Sequence, residues 1–435
     1  MSELPARPLN DSADIGASAR RRIGRRLIPY LFLLYIIAYL DRVNVGFAAL
    51  QMTGELGFSP RVFGFGAGIF FFGYFLFEIP GSVLVETWSA RKWIARIMIS
   101  WGVIAVAMGF IHTETQFYWL RFLLGAAEAG FFPGLLVYVS HWFRQEDRAK
   151  AVALFMAAVP LSSIIGAPIS GLLLEVNWLG HAGWRWLYII EGLPAVIFGV
   201  VTLFYLTDRP QQAKWLPDRE RDWLVNELER ERATKSTQGS GSFWKTLQTR
   251  DVWLLALAYF GMVCGLYGFN LWLPTIVKQL SGLSNFTSIL LTAIPACVGL
   301  IAMLLIGWSS DRSGERRLHA AIPMAIGGIG LLCGALMQQQ VVVAIGLFCV
   351  GAIGIFGHFP AFWATVYSRY TGVAAAAIIA LINSLGNLGG FAGPFVIGYL
   401  NDASGTFVGG ILYLAACAMM ASGCILALRR GPHSS

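Results

Sequence analysis

Long apolar stretches alternate along this chain with short interruptions rich in Arg, Lys, Gly and Pro. A helix rising about 1.5 Å per residue crosses a hydrocarbon layer of about 30 Å in roughly twenty residues, and the stretches reach that length. The pattern predicts helical spans near 27–50, 61–85, 93–112, 116–141, 149–175 and 184–207 in the first half. A second set follows near 252–279, 287–309, 318–337, 341–369, 372–401 and 406–428. Helix is the expected state because a backbone in lipid must satisfy its N–H and C=O groups internally. The predicted class is therefore an all-α membrane protein of twelve transmembrane helices.

One interruption differs from the others. Residues 208–250 open with Asp208-Arg209-Pro210, carry dense mixed charge through Arg219–Arg232 and end in the small polar run Ser236–Ser242. Acids and bases three and four apart predict a short exposed helix over 218–232, and the Ser/Gly run reads as flexible linker. The expected organisation is a tail over 1–26, a six-helix bundle over 27–207, a central loop over 208–250, a second bundle over 251–428 and a tail over 429–435.

Composition sharpens the class. With 56% hydrophobic and 13% charged residues, the chain has too few charges to cover a soluble surface, where about 25% is usual. The net charge of +8 does not point to nucleic acid, because the basic residues lie between spans instead of on one face. Most of the 32 Lys and Arg fall in the termini or in connections after even-numbered spans. Arg42 and Arg121 lie inside spans, and Arg61, Arg185 and Lys278 on the other side. By the positive-inside rule both termini face the cytoplasm of a multi-pass inner (plasma) membrane protein. The six cysteines, all in apolar segments of the second half, read as small buried hydrophobes. No nucleotide, zinc-protease or Gly-x-Ser-x-Gly signature occurs, so neither an enzyme, a cofactor nor a metal is expected.

The halves repeat each other. Glu86, Ser89, Arg91 and Lys92 follow the second span, and Asp311, Gly314, Arg316 and Arg317 follow the eighth at the same offsets. Gly166-Ala167-Pro168 in the fifth span is answered by Gly393-Pro394 in the eleventh. The duplicated acid/small/basic loops lie far from the midplane. A gating latch that holds the two bundles shut on the cytoplasmic side is expected of Glu86, Arg91, Lys92, Asp311, Arg316 and Arg317.

Ionised groups inside spans cost several kcal/mol unless paired or watered, so they mark functional sites. Tyr35, Tyr39, Arg42 and Gly46 share one face of the first span, with Asp41 beside them. Arg121 and Glu128 share a face of the fourth span, yet seven residues place them roughly 10 Å apart, so each needs another partner. Glu78, before Pro80, reads as a brace for a kink, and Glu191 as a partner for Arg185. In the tenth and eleventh spans Trp363, Asn383 and Asn387 are candidates for a polar cavity wall, as are Tyr267 and Asn270 in the seventh. His358 reads as structural.

Two six-helix halves, the duplicated loop and the Gly/Pro signals resemble the major facilitator superfamily. Tyr39-Leu40-Asp41-Arg42-Val43-Asn44, Arg121 with Glu128 before Phe132-Pro133-Gly134, Glu191-Gly192-Leu193-Pro194, and Ala374–Ala377 with Asn383-Ser384-Leu385-Gly386-Asn387 are similar to its anion:cation symporter branch. That branch includes bacterial carriers for galactonate, tartrate and phthalate. The resemblance implies Asp41 and Glu128 as proton carriers, Arg42 as the group meeting a substrate carboxylate, and Tyr39, Tyr74, Trp363 and an Asn of Asn383/Asn387 lining the site. Ser89 stands where glycine is usual, and Val159 where sugar-acid carriers place a glutamine. Losing that amide suggests a substrate less hydroxylated than a sugar acid, such as an aromatic or short dicarboxylate.

The expected function is import of a small organic anion with protons, by a monomer in the bilayer. Asp41 with Arg42 would form one proton-and-anion couple and Arg121 with Glu128 a second. The alternatives are a facilitator or antiporter of the same fold, or an anion sensor that transports nothing.

Overall fold

A computed structural model describes residues 9–235, 247–370 and 373–429. Among the described residues there are helices, turns and one isolated bridge between Trp178 and His181, but no strands. The first half contains α1 (Leu9–Leu56), α2 (Pro60–Thr87), α3 (Ala90–Met108), α4 (Glu114–Glu128), α5 (Phe131–Trp142), α6 (Gln145–Leu174) and α7 (Gly183–Tyr205). After α8 (Asp218–Lys235), the second half contains α9 (Arg250–Ser281), α10 (Asn285–Ser313), α11 (Arg317–Leu336) and α12 (Val341–Gly357). It closes with α13 (Phe359–Arg369), α14 (Val373–Ser404) and α15 (Val408–Leu426).

Eleven of these helices or consecutive pairs are long and apolar enough to cross a membrane. The twelfth by position is α3, whose first two turns carry Arg91, Lys92 and Arg96. Its place between α2 and α4 makes it a span all the same. Large apolar side chains such as Leu172, Ile197, Ile301, Leu304, Leu305 and Trp308 are more than half exposed. Water would not tolerate so broad an apolar exterior, whereas acyl chains match it.

Local chemistry sets the boundaries. Ser59 caps α2 by accepting from the Val62 N–H, with Pro60 in the first turn. Thr113 and Gln116 form a reciprocal capping box on α4. The fourth span is broken: Ala129 is extended, and Gly130 has φ 83°, a left-handed conformation that favours glycine. Glu128 is therefore the last residue of α4, beside freed backbone groups. The tenth span divides at His358, where Pro360 enters the first turn of α13. A hydropathy pattern does not register such breaks, because apolar residues continue through both. The first helix also starts earlier than the apolar pattern indicates: Leu9 to Arg26 are a helical extension of α1. The helix expected over 218–232 is α8, and it is docked instead of free: Glu220 accepts from Ser18 (2.8 Å) and Arg22 (3.0 Å). Glu227 pairs with Arg144, and Glu231 with Arg148. The Ser236–Ser242 linker lies outside the described residues.

The halves are packed alike. In the first, α1 lies on α6 and α7, α2 on α4, and α3 on α7; in the second, α9 lies on α14 and α15, α10 on α12, and α11 on α15. These are the same pairings six spans apart. The halves meet where α2 crosses α14 and α6 crosses α10, two contacts exchanged by the same pseudo-twofold, and where α1 meets α9. On the face opposite the termini the α2–α14 crossing is sealed by backbone. A Cβ built at Gly398 falls 2.3 Å from the Pro60 carbonyl oxygen, and one at Gly64 falls 2.6 Å from that of Pro394. Small residues permit this approach, which drives helix association in lipid.

Gly398→Val is expected to wedge this crossing open. In a cysteine-free background, Arg61→Cys would then react faster with a membrane-impermeant thiol reagent than in the Gly398 parent. Equal rates would show that the crossing does not depend on the missing side chain.

Candidate functional site

Arg42, about two thirds of the way along α1, turns towards the second half. Its guanidinium forms an ion pair with the Glu128 carboxylate on α4 and donates to the Tyr267 hydroxyl on α9 at 2.9 Å. The rings of Tyr39, Phe70 and Tyr74 surround it at 4.9, 5.4 and 5.4 Å from the guanidinium carbon. Tyr39 and Tyr267 share a hydrogen bond of 3.3 Å, so first-half and second-half side chains interlock around one cation. Glu128 is only 2% exposed and Arg42 11%. Charges so enclosed persist only where partner geometry offsets lost hydration, and removal of either leaves the other stranded.

The couples expected from the sequence are rearranged. Successive helix residues point about 100° apart, so Asp41 faces away from Arg42 into the first half. There it accepts from the Trp101 indole at 2.6 Å and, more weakly, from Asn44 at 3.4 Å. Asp41 and Arg42 are thus not a pair. Nor are Arg121 and Glu128: Arg121, completely buried, donates to the backbone carbonyls of Gly66 (3.3 Å) and Ala67 (3.1 Å) on α2. The seven-residue spacing correctly demanded another partner for each. Arg121 found α2, and Glu128 found Arg42.

Two acids read as structural have different surroundings from those expected. Glu78 reaches across to α14, accepting from Asn383 (2.6 Å), Ser384 (3.2 Å) and Asn387 (3.4 Å). It bridges the halves near the middle of both helices instead of bracing Pro80. Glu191 accepts from Ser170 at 2.6 Å, while Arg185 pairs with Glu55 at 3.0 Å near the opposite face. The clue to Glu78 was its rarity, an acid inside a span with no basic residue nearby in sequence; the partners lay some 300 positions away.

Of the remaining candidates, Tyr74 lies beside Arg42 as described, and Trp363 packs edge-on to Tyr259 at 5.1 Å. Asn270 donates to the Leu266 carbonyl of its own helix (2.7 Å), so its amide is spent locally, whereas Tyr267, one turn earlier on α9, reaches the cation. His358 bonds the Gly354 carbonyl at 2.7 Å. All six cysteines are free thiols. Among the described residues no group of His, Cys, Asp and Glu is placed to hold a metal.

The duplicated loops are fastened within their own halves. Asp208 accepts from the Ser89 hydroxyl (2.9 and 2.8 Å) and the Arg91 N–H (2.9 Å), with the Arg91 side chain 3.9 Å away. Arg316 pairs with Asp311, and Arg317 donates to the Ile425 and Leu426 carbonyls at the end of α15. The Lys92 N–H caps onto Ser89. Glu86 ends in the last turn of α2, and its side chain lies outside the described residues. Among the described residues, the bonds of these loops lie within their own halves.

The description "Major Facilitator Superfamily" belongs to a family model that matches residues 31–394. A putative tartrate transporter of Agrobacterium vitis is 48% identical over 420 residues, covering 96% of this chain and 92% of its own. A quinolone resistance transporter of Acinetobacter baumannii is 40% identical over 396 residues, covering 91% of each. Among solved structures, a bacterial homologue of the human lysosomal transporter Spinster superposes with a TM-score of 0.73 at 16% identity, covering 95% of this chain and 99% of that one. The family model and these relatives point to a multi-pass membrane transporter, not an enzyme. The chain belongs to the major facilitator superfamily.

The bonds of Arg121 go to α2 carbonyls from Nε and Nη2, so a structural contribution is expected of it. Arg121→Met would leave two α2 carbonyls without that donor, costing about 1–3 kcal/mol. The purified variant is expected to melt several degrees lower while anion affinity stays within about twofold. A large loss of affinity without loss of stability would place Arg121 in the binding site instead.

Proposed function

We propose that this carrier imports a small organic carboxylate together with protons across the inner membrane. The observation that carries the reading is a buried cation between the halves, Arg42, held by the protein's own carboxylate, Glu128. A substrate carboxylate arriving at Arg42 competes with Glu128 for the same donors. A displaced Glu128 in a poorly hydrated site would be an unpaired buried charge, which taking up a proton relieves. Anion and proton then occupy the site together, the added charge is cancelled, and reorientation of the halves becomes less costly. On the far side, proton loss restores the Arg42–Glu128 pair and expels the anion. Asp41, bonded to Trp101, is proposed as a second proton-carrying acid.

The basic residues on the terminus-bearing face support a cytoplasmic location for both termini. The relative named as a tartrate transporter supports a hydroxy- or dicarboxylate as substrate. The relative named for quinolone resistance supports a second reading, export by exchange for protons. The duplicated loops, fastened inside each half here, are proposed to change partners when the terminus-bearing side closes.

In proteoliposomes, labelled tartrate is expected to accumulate inside when the exterior is acidic. Glu128→Gln and Asp41→Asn should abolish accumulation yet keep counterflow exchange, and Arg42→Gln should lose both. Uptake indifferent to an uncoupler would overturn symport, and substrate leaving as protons enter would establish export.

A further inference from the structure

The Asn383, Ser384 and Asn387 donors on α14 converge on one carboxylate, and that carboxylate belongs to the protein. Glu78 comes from the opposite half, is 5% exposed, and receives all three bonds. The Arg42 guanidinium is engaged in the same way by Glu128. Both groups of donors suited to a carboxylate are therefore filled from within. Tyr74 connects them on α2: its ring lies 5.4 Å from the Arg42 guanidinium carbon, and it precedes Glu78 by one turn, about 6 Å along the axis.

Resting on the reading above, we infer that Glu78 and Glu128 are internal stand-ins for the two carboxylates of a dicarboxylate substrate. One substrate carboxylate replaces Glu128 on Arg42; the other replaces Glu78 on the α14 amides and hydroxyl. The second exchange has a charge consequence. Asn383, Ser384 and Asn387 are neutral donors, so they exchange one carboxylate for another without supplying positive charge. Among the described residues, the charged and titratable groups that act on Glu78 or feel it are Arg42 on α1, Tyr74 on α2 and Tyr259 on α9. Arg42, the one cation among them, is committed to the first carboxylate. The displaced Glu78 therefore accepts a proton on its carboxylate oxygen from the side that admits the substrate, and releases it when it regains the α14 donors. A monocarboxylate, filling only the Arg42 seat, leaves Glu78 in place and does not call on this proton.

The proton-to-substrate ratio is thus set by how many seats the substrate fills. In proteoliposomes at neutral pH, with simultaneous proton-flux and radiolabel measurements, tartrate and succinate are expected to carry one proton more per molecule than lactate. In Glu78→Gln, whose neutral amide retains hydrogen bonding to α14 but cannot be protonated, the ratios should become equal. Glu78→Ala, which leaves the donors empty, should bind succinate about tenfold more tightly, with thermal melting as the check on folding. A one-proton difference that persists in Glu78→Gln, or weaker succinate binding in Glu78→Ala, overturns the inference. Loss confined to tartrate would mean that Glu78 instead accepts substrate hydroxyls, which also overturns it. Wild-type protein that moves none of the three acids defeats the underlying transport reading; one that moves all three with equal proton ratios defeats only the role of Glu78.

Discussion

A cation that cannot be left unpaired in a low-dielectric interior governs the arrangement at the centre of this carrier. Arg42 stays ionised at any accessible pH and is almost enclosed. Some anion must always face it, and here that anion is Glu128. The break between α4 and α5 serves this need by ending the helix just where the carboxylate must reach α1. The surrounding tyrosines supply aromatic faces and hydroxyls that complement a guanidinium without competing as anions. Bundle packing, helix breaks and second-half contacts through Tyr267 all converge on keeping one positive charge matched.

The same reasoning explains the distribution of the other buried charges. Arg121 is matched by carbonyl dipoles, Arg185 by Glu55 and two further carbonyls, Asp41 by an indole, and Glu78 by amides. Among the described residues, side-chain hydrogen bonds cross from one half to the other at two places: from Tyr267 to Arg42 and Tyr39, and from α14 to Glu78. Bonds inside a half move with it; bonds across the seam must be remade whenever the halves reorient. The functional chemistry is accordingly sought at the seam.

The fold was legible because bilayer thickness imposes a length on every span, and hydropathy reads length directly. Duplication was visible in the loops after α2 and α10, and the packing repeats it pair for pair. Helix breaks were not legible, since Gly130 and His358 sit within unbroken apolar runs. The identities of Arg42, Glu128, Tyr39, Tyr74 and Asn383 as polar residues inside spans were plain, but their partners were not. Spacing fixes which residues share a helix face; it says nothing about which helix lies opposite. Asp41 and Arg42 point about 100° apart, yet that Trp101 and Glu128 are the groups they meet required coordinates, as did the α14 partners of Glu78. The loop residues Arg91, Asp311, Arg316 and Arg317 were recognised as a repeated unit, while the bonds they make inside each half required coordinates.

The seal between α2 and α14 has a further implication. Where Pro60 and Gly64 lie against Pro394 and Gly398, main chain touches main chain, and beside that contact the Arg61 guanidinium lies over the Tyr399 ring at 5.5 Å. Neither a carboxylate nor an imidazole takes part in these contacts. The strength of the seal is indifferent to the acidity of the solution it faces, so a steep pH difference can be sensed by the carboxylates at the centre without loosening the door that separates them from it.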